Sequence, residues 1–557
     1  MNRAVPLWSL FLFLTVSAFP QATPRSRPVA SAKATSQAIF NVKNYGATGV
    51  KSADARPAIQ KAIDTCAKAG GGMVYLPPGQ YTSGTLILRS HVRFHIEAGA
   101  TLFASPDPKA YSGYAVASQA ALFFGEGVEN ITIEGRGTVD GRAEYEWRPD
   151  DTETAAFEHK ALMLSLGKST LRSYPKDMHT RTIYPHLVYL GHCKDVRVTG
   201  LSFLHSFSWT MALYACQRVS VDSIYIYTSL KDAVWADGID LDGCKDVSIS
   251  NSSIETGDDC IIFISTNGWG PALPCENITV TNCRLSSASA AIKFSEGNSN
   301  MIRHVVVNNC VIANTNRGFV FTITTGGVIS DVIFSNITMD LNRFDWFWAG
   351  DAQPFYFRIT RESEWNKEAL KPDEPAPGKI RNVVIRDIIA HGKGSSLLYG
   401  HPESWIDGLT LENVHLFLAT DPAAPFDTAV HAMRVRWARN VTLKNVVIDW
   451  EKPALERWQS ALDVEDVENL QLDSFSGGPA WPDRDAPVVA FTNVADAVVR
   501  DSRAEQGTNL FLKIAGSQSR GIDLIGNDFR YARIPYQLAN DVPADRVKSV
   551  NNIPAAP

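Results

Sequence analysis

Three aspartates carry the chemistry that can be read directly from this chain. Asp237 lies in WADGIDLDGC, and Asp258 and Asp259 lie in ETGDDC, which begins a short repeat later; Asp258 follows Asp237 by 21 residues. If each repeat is one turn of a stacked solenoid, the three carboxylates fall on neighbouring rungs about 4.8 Å apart. Clustered carboxylates repel one another, which raises at least one pKa and sets an acid beside a base. Hydrolysis of a glycosidic bond needs that equipment. Asp258 and Asp259 are consecutive, so in a regular strand they point to opposite faces. Both reach one cleft only where the strand ends or bulges. Asp240 and Asp242, between the two clusters, read as a turn-orienting group and a solvent-facing group.

The elements that must position these acids are visible as a repeat, apolar-x-apolar-x-[N/D]-x-x-apolar. It runs from VRVTGLSF at Val196 through VSVDSIYI (Val219), VSISNSSI (Val247), ITVTNCRL (Ile278), VVVNNCVI (Val305) and VIFSNITM (Val332). Copies continue at Val383, Leu409 and Val441, with weaker ones near Leu470, Ala497 and Ile522 and an early one at Ile131. Alternating apolar residues mark strands with one buried face, and β-branched residues suit a pleated surface. Asn251, Asn282, Asn309, Asn336, Asn413 and Asn445 recur at the fifth position, with Asp387 and Asp501 as substitutes. Stacked amides there can satisfy a tight turn. The sequons at Asn130, Asn277, Asn336 and Asn440 therefore read as parts of the repeat rather than as glycan sites.

The reading is an all-β chain, one right-handed parallel β-helix of residues 39–535 with a tail of 536–557. A helical pattern over Asp54–Lys68 ends at Gly70-Gly71-Gly72 and would cover the open first rung. Arg142 to Tyr184 and Arg361 to Lys379 read as loop insertions. Residues 1–18 resemble a secretory leader: Arg3 precedes an apolar run from Leu7 to Val16, and a small-residue cleavage site follows Ala18. That run is too short for a comfortable membrane span. Residues 19–38 read as a linker, and the product as secreted or periplasmic, a monomer with no membrane attachment once the leader is cut. The formal net charge is −6 with 20% charged residues, which argues against nucleic acid as the main partner. Cys193, Cys216, Cys244 and Cys275 share one repeat position and read as buried thiols filling a column, with a disulfide between neighbouring coils as the alternative. No cofactor motif is present in the sequence, and no metal is called for.

FNVKNYGATG at Phe40, AIQKAID at Ala58 and GGGMVYLPPGQY at Gly70 are followed by HSFSWT at His205, DGID at Asp237 and GDDC at Gly257. In that order and spacing they resemble family 28 of the glycoside hydrolases, the polygalacturonase group, from about Phe40 to Met339. The resemblance implies an inverting hydrolase of pectin-type polysaccharides with a pectin-lyase-like β-helix. It makes Asp258 the general acid, and Asp237 with Asp259 the pair that activates water. For inversion the acid and base should stand about 6.5–9.5 Å apart.

The chain departs from the family pattern at three places. Trp235-Ala236 stand where Asn-Thr is usual, which makes Trp235 a candidate substrate contact. Ala288 to Glu296 carry no counterpart of the family's Gly-His-Gly. Arg317-Gly318-Phe319 stand in place of Arg-Ile-Lys, the cations that hold a substrate carboxylate. Lys293 reads either as a rebuilt cation one coil earlier or as a surface lysine, and Arg317 as a source of a bidentate guanidinium. In the aromatic run from Phe344, Trp346 and Trp348 share a face if extended and could form a platform for sugar rings, with Asp351, Arg358 and Arg361 beside them. That run could instead be a packed loop; as a platform it could close the cleft and make the enzyme exo-acting. Three readings follow: an exported inverting hydrolase of a galacturonan or rhamnogalacturonan polymer or oligomer, a calcium-dependent pectic lyase on the same fold, and a carbohydrate-binding β-helix without catalysis.

Overall fold

The computed structural model of the chain describes residues 38–149, 171–175, 184–295, 297–344, 350–366, 368–420, 429–451, 455–482 and 484–554. The leader (1–18) and all but the last residue of the linker lie outside the described residues. From Ala38 onward the chain is a parallel β-helix. Each repeat contributes short strands that pair in parallel with the strands one coil earlier and one coil later. The register aligns Val196, Val219, Val247, Ile278, Val305, Val332, Val383, Leu409 and Val441 as successive partners. All nine are buried, because a period of two sends every other side chain inward.

The fifth-position residues bend the chain through left-handed backbone, at the strand end or within the longer strands. Asn251, Asn282, Asn309 and Asn336 have φ of 52, 55, 53 and 55°, and Asp387 and Asn413 follow at 56 and 54°. Asn and Asp tolerate this region best after glycine. Their amides form a ladder along the axis: Asn336 Nδ2 donates to Asn309 Oδ1 at 2.7 Å, and Asn445 Nδ2 to Asn413 Oδ1 at 2.8 Å. A second ladder, in which Asn277 Nδ2 donates to Asp246 at 2.9 Å and Asn440 Nδ2 to Asp407 at 2.7 Å, takes in two of the sequon asparagines. All eight cysteines are buried free thiols. Cys216, Cys244 and Cys275 each donate to a carbonyl of the preceding coil at 3.2–3.3 Å.

The helix forms over Arg56–Lys68, with Pro57 in its first turn. It buries Ala58, Ile59, Ala62, Ile63 and Cys66, packing on the strands Ile39–Asn41, Gly72–Leu76 and Val92–Ile96. Within the first insertion, Tyr145–Pro149 and Leu171–Pro175 pair antiparallel. The solenoid also runs past the boundary expected at 535: Val547–Val550 pairs in parallel with Ile522–Ile525. Buried Asn527 holds that last coil, its backbone N–H and amide both donating to Asn552 Oδ1 at 2.8 and 2.9 Å. The polar composition of the segment concealed this, because its anchors are amides rather than apolar side chains. Below the acid-bearing coils, Phe263, Phe294, Phe321 and Phe357 stack in one core column with centroids 4.0–4.8 Å apart. Each interlocks with the next coil, giving the face above them a stiff floor.

Candidate active site

Asp258 and Asp259 sit in the turn between the strands Ser253–Thr256 and Ile261–Ile264, so the strand ends where both carboxylates must face one side. Glycines make the turn fit. A Cβ on Gly257 would lie 2.3 Å from the carbonyl oxygen of Ala233, and one on Gly238 2.3 Å from that of Cys260. Two hydroxyls fix the turn from below: Thr256 Oγ1 and Ser287 Oγ each donate to the Asp258 carbonyl at 2.6 Å. One coil earlier, Asp237 precedes the strand Ile239–Asp242, and the Gly238 N–H donates to the Asp259 carbonyl at 2.9 Å.

The three acids converge, offering carboxylate oxygens that lie within 4.8 Å of one another. The Asp259 N–H is shared between Asp237 Oδ1 at 2.9 Å and Asp258 Oδ1 at 3.0 Å. Exposure is 3% for Asp237, 5% for Asp258 and 1% for Asp259. Lys293 reaches the group from the strand Ala290–Phe294, with Nζ 3.0 Å from Asp259 Oδ2 and a side chain only 18% exposed. It is not a solvated surface lysine. The other oxygen of Asp259, Oδ1, is buried with no hydrogen-bond partner among the described residues.

Asp240 and Asp242 are also part of this face. Ile239 and Leu241 point into the core, so both acids point outward, and both are buried. Asp242 is not solvent-facing: it accepts hydrogen bonds from the Thr266 N–H at 2.9 Å and Oγ1 at 2.7 Å, because the loop after Ile264 folds over it. Neither oxygen of Asp240 has a hydrogen-bond partner among the described residues. Burial pushes the Asp258 carboxyl well above the usual range, and the charges of Asp237 and Asp259 push it further while Lys293 opposes them. Burial raises Asp237 and Asp240 in the same direction, with neighbouring aspartates adding to each. One ammonium against four buried carboxyls cannot hold all of them ionised. The Cys260 thiol beside the pair is pushed up by burial to about 12, which removes it as a nucleophile at neutral pH.

The remaining candidates are spread along the same side. Arg317 opens the strand Arg317–Ile323, one coil beyond Lys293; its Nε donates to Gln353 Oε1 at 3.3 Å and its guanidinium lies 5.4 Å from the Tyr356 ring centroid. Arg358 is a coil further, with Nη1 3.3 Å from the Tyr356 hydroxyl. Trp235 is half-buried, two residues before Asp237. Trp346 and Trp348 lie outside the described residues. Two half-buried tryptophans escaped sequence reasoning. Trp209 precedes Thr210, whose N–H donates to the Asp237 carbonyl at 2.8 Å, and Trp269 packs edge-on against it at 5.6 Å. Trp209 stands in the quoted HSFSWT motif, but no spacing rule links it to the loop that carries Trp269. The three converging carboxylates could also receive a hard cation such as calcium.

The profile described as glycosyl hydrolases family 28 matches residues 66–342. Over 401 residues the chain is 23% identical to a probable polygalacturonase of Vitis vinifera, covering 68% of this chain and 74% of that protein. It is 24% identical to an exopolygalacturonase of Platanus acerifolia over 318 residues, covering 55% and 73%. Among solved structures, it resembles the exopolygalacturonase of Thermotoga maritima with a TM-score of 0.57 and 20% identity, covering 74% of this chain and 92% of that one. The Yersinia enterocolitica family 28 exopolygalacturonase follows at 0.55 and 19%, covering 78% of each. This chain is a β-helical glycoside hydrolase, and it belongs to glycosyl hydrolase family 28.

Proposed function

We propose that the protein is an exported inverting hydrolase that cleaves glycosidic bonds in pectic polysaccharides or their oligosaccharides. The observation that carries this is the convergence of Asp237, Asp258 and Asp259 with Lys293 set on Asp259. Asp258, kept protonated by burial and by its neighbours' charge, gives its proton to the leaving glycosidic oxygen. Asp259, whose Oδ2 faces the lysine and whose Oδ1 has no partner among the described residues, takes a proton from the attacking water. Asp237, tied to Asp259 through the shared N–H, orients that water with it. Trp235 and the pair Trp209–Trp269 offer flat apolar faces to sugar rings, while Lys293 and Arg317 attract a substrate carboxylate. The names of the relatives, polygalacturonase and exopolygalacturonase, support a galacturonan substrate.

The carboxylate oxygens lie closer together than the 6.5–9.5 Å of a typical inverting pair. Stereochemistry is therefore the informative readout. The chain is incubated with a panel of pectic polymers and oligosaccharides with and without EDTA. Products are identified by mass and, at first turnover, by the anomeric proton signal. Saturated products of inverted configuration that vanish in Asp258→Asn support the reading. Products of retained configuration overturn the water-activation scheme. An unsaturated, ultraviolet-absorbing product that EDTA abolishes would establish the lyase instead, but the ammonium of Lys293 already balances Asp259 and weighs against a cation there. Binding without turnover on any member would leave a carbohydrate-binding protein.

A further inference from the structure

The outward column that carries Asp240 continues far beyond the acids. In register, Asp240 pairs with Ile262, then Lys293, Val320, Tyr356, Leu397 and Arg434. Two residues further along each strand, Thr322, Arg358, Tyr399 and Arg436 form the adjacent column. Between these columns opens a cavity of about 530 Å3, lined by Tyr356, Arg358, Tyr399, His401, Arg436 and Trp437 among others. At about 4.8 Å per strand, Arg436 stands four strands, or about 19 Å, beyond Lys293. Every lining residue lies after Met339, outside the segment 66–342 that matches the family.

The cavity wall sets two guanidiniums against aromatic rings. Arg436 lies over the Trp437 ring at 3.9 Å, and Arg358 over the Trp365 ring at 5.6 Å, which fixes the planes of both guanidiniums. Arg436 Nη2 pairs with Glu465 at 2.8 Å and its Nε lies 4.0 Å from Asp466 Oδ2; among the described residues that buried Nε has no hydrogen bond. The one carboxylate on the wall is already engaged. His401 Nδ1 accepts from the Glu403 N–H at 3.1 Å, so its Nε2 carries the proton and donates to Glu364 at 3.1 Å. Glu364 also accepts from the Arg361 N–H at 2.9 Å. Tyr356 and Tyr399 add aromatic faces of the kind that hold the carbon–hydrogen side of a pyranose, and the volume falls within the range of small-ligand sites.

We infer that this cavity is a second saccharide site, selective for a uronate-bearing sugar of the same polymer several residues from the bond being cut. The inference rests on the proposed pectic substrate, but it concerns binding and not turnover. It gives the enzyme a hold on long acidic chains that short fragments cannot reach.

The test uses the full chain carrying Asp258→Asn, so that no substrate is consumed, and calorimetric titration with digalacturonate, octagalacturonate and fully methyl-esterified octagalacturonate. The octamer should bind about 10-fold tighter than its ester, and Tyr399→Ala with Arg436→Gln should remove about that factor for the octamer. Digalacturonate affinity should change by less than about twofold, since one dimer cannot span both regions. Equal affinity for acid and ester, unchanged octamer binding in the double variant, or no octamer binding overturns the inference. A crystal of Asp258→Asn soaked with octagalacturonate decides the matter without the cavity variants. A carboxylate on Arg358 or Arg436 supports the site, and a ligand ordered at the acids but ending short of Tyr356 overturns it. Failure to hydrolyse any pectic substrate would sink the proposed reaction while leaving these binding results to stand or fall alone.

Discussion

Two stretches of the same solenoid put acids to opposite use. In the coils from Asp237 to Lys293, five buried carboxyls lie near the one ammonium of Lys293, and burial drives Asp237, Asp240, Asp242 and Asp258 upward. In the later coils three acids meet arginines: Arg434 Nε meets Asp463 at 2.8 Å, Arg436 Nη2 meets Glu465 at 2.8 Å, and Arg500 meets Asp473 at 2.6 Å. The Ser474 hydroxyl and Arg500 hold the Asp473 carboxyl below its usual range against the opposing effect of burial. The scaffold is the same in both stretches: parallel strands, inward aliphatic columns and left-handed Asn or Asp at the turns. What differs is whether a column supplies the opposite charge. A matched pair keeps its acid ionised and unreactive; an unmatched cluster stores protons where a bond can be broken.

The sharpest break in that comparison is Asp258→Asn, which keeps the shape and removes the transferable proton. Activity should fall by about 10³-fold, within the range ascribed to general acid catalysis, with substrate affinity retained in a binding titration. A loss below about tenfold would assign the acid elsewhere in the cluster. Lys293→Met comes next, since it turns the one balanced carboxylate of the region into an unbalanced one. Removing one partner of a buried pair typically costs about 3–5 kcal/mol, so the melting temperature should drop measurably. Lys293 also lowers Asp237, Asp240 and Asp258. Without it these groups hold their protons to higher pH, and the whole pH–activity profile should move upward. A profile that stays in place would mean the lysine only fills space.

Much of this was written in the sequence, and the exceptions share a cause. The strand repeat, the left-handed Asn positions and the buried cysteines follow from local periodicity, which one chain carries on its face. Asp237, Asp258 and Asp259 could be placed together because coil length converts sequence distance into spatial distance. Lys293 stood at a strand end where a solvated lysine and an ion-paired one look alike, and only the packing of three coils decides between them. Asp242 was misread for the same reason: nothing near it announces that the loop carrying Thr266 folds back over it. The Tyr356–Trp437 cavity needs three strands and an insertion to close, so no single segment carries its signature.

The pH dependence of stability separates the two stretches. A carboxyl raised in the fold and near 3.9 when unfolded keeps its proton in the native state after the unfolded chain has lost it. Stability therefore falls as pH rises from about 4 toward the raised value, by about 1.4 kcal/mol per pH unit for each such group. Asp240, buried with no hydrogen-bond partner among the described residues, should contribute strongly, and Asp240→Asn should flatten the decline and raise the melting temperature at pH 8. An unchanged slope would show that Asp240 ionises freely in the fold. Asp473, lowered in the fold, behaves inversely: its contribution is present above the unfolded value and is lost as pH falls through the folded one. Arg500 is half exposed, so Arg500→Ala should cost only about 0.5 kcal/mol and leave hydrolysis unaltered. If that variant instead slowed turnover as Lys293→Met does, the two stretches would be coupled, and the division between a matched and an unmatched column would fail.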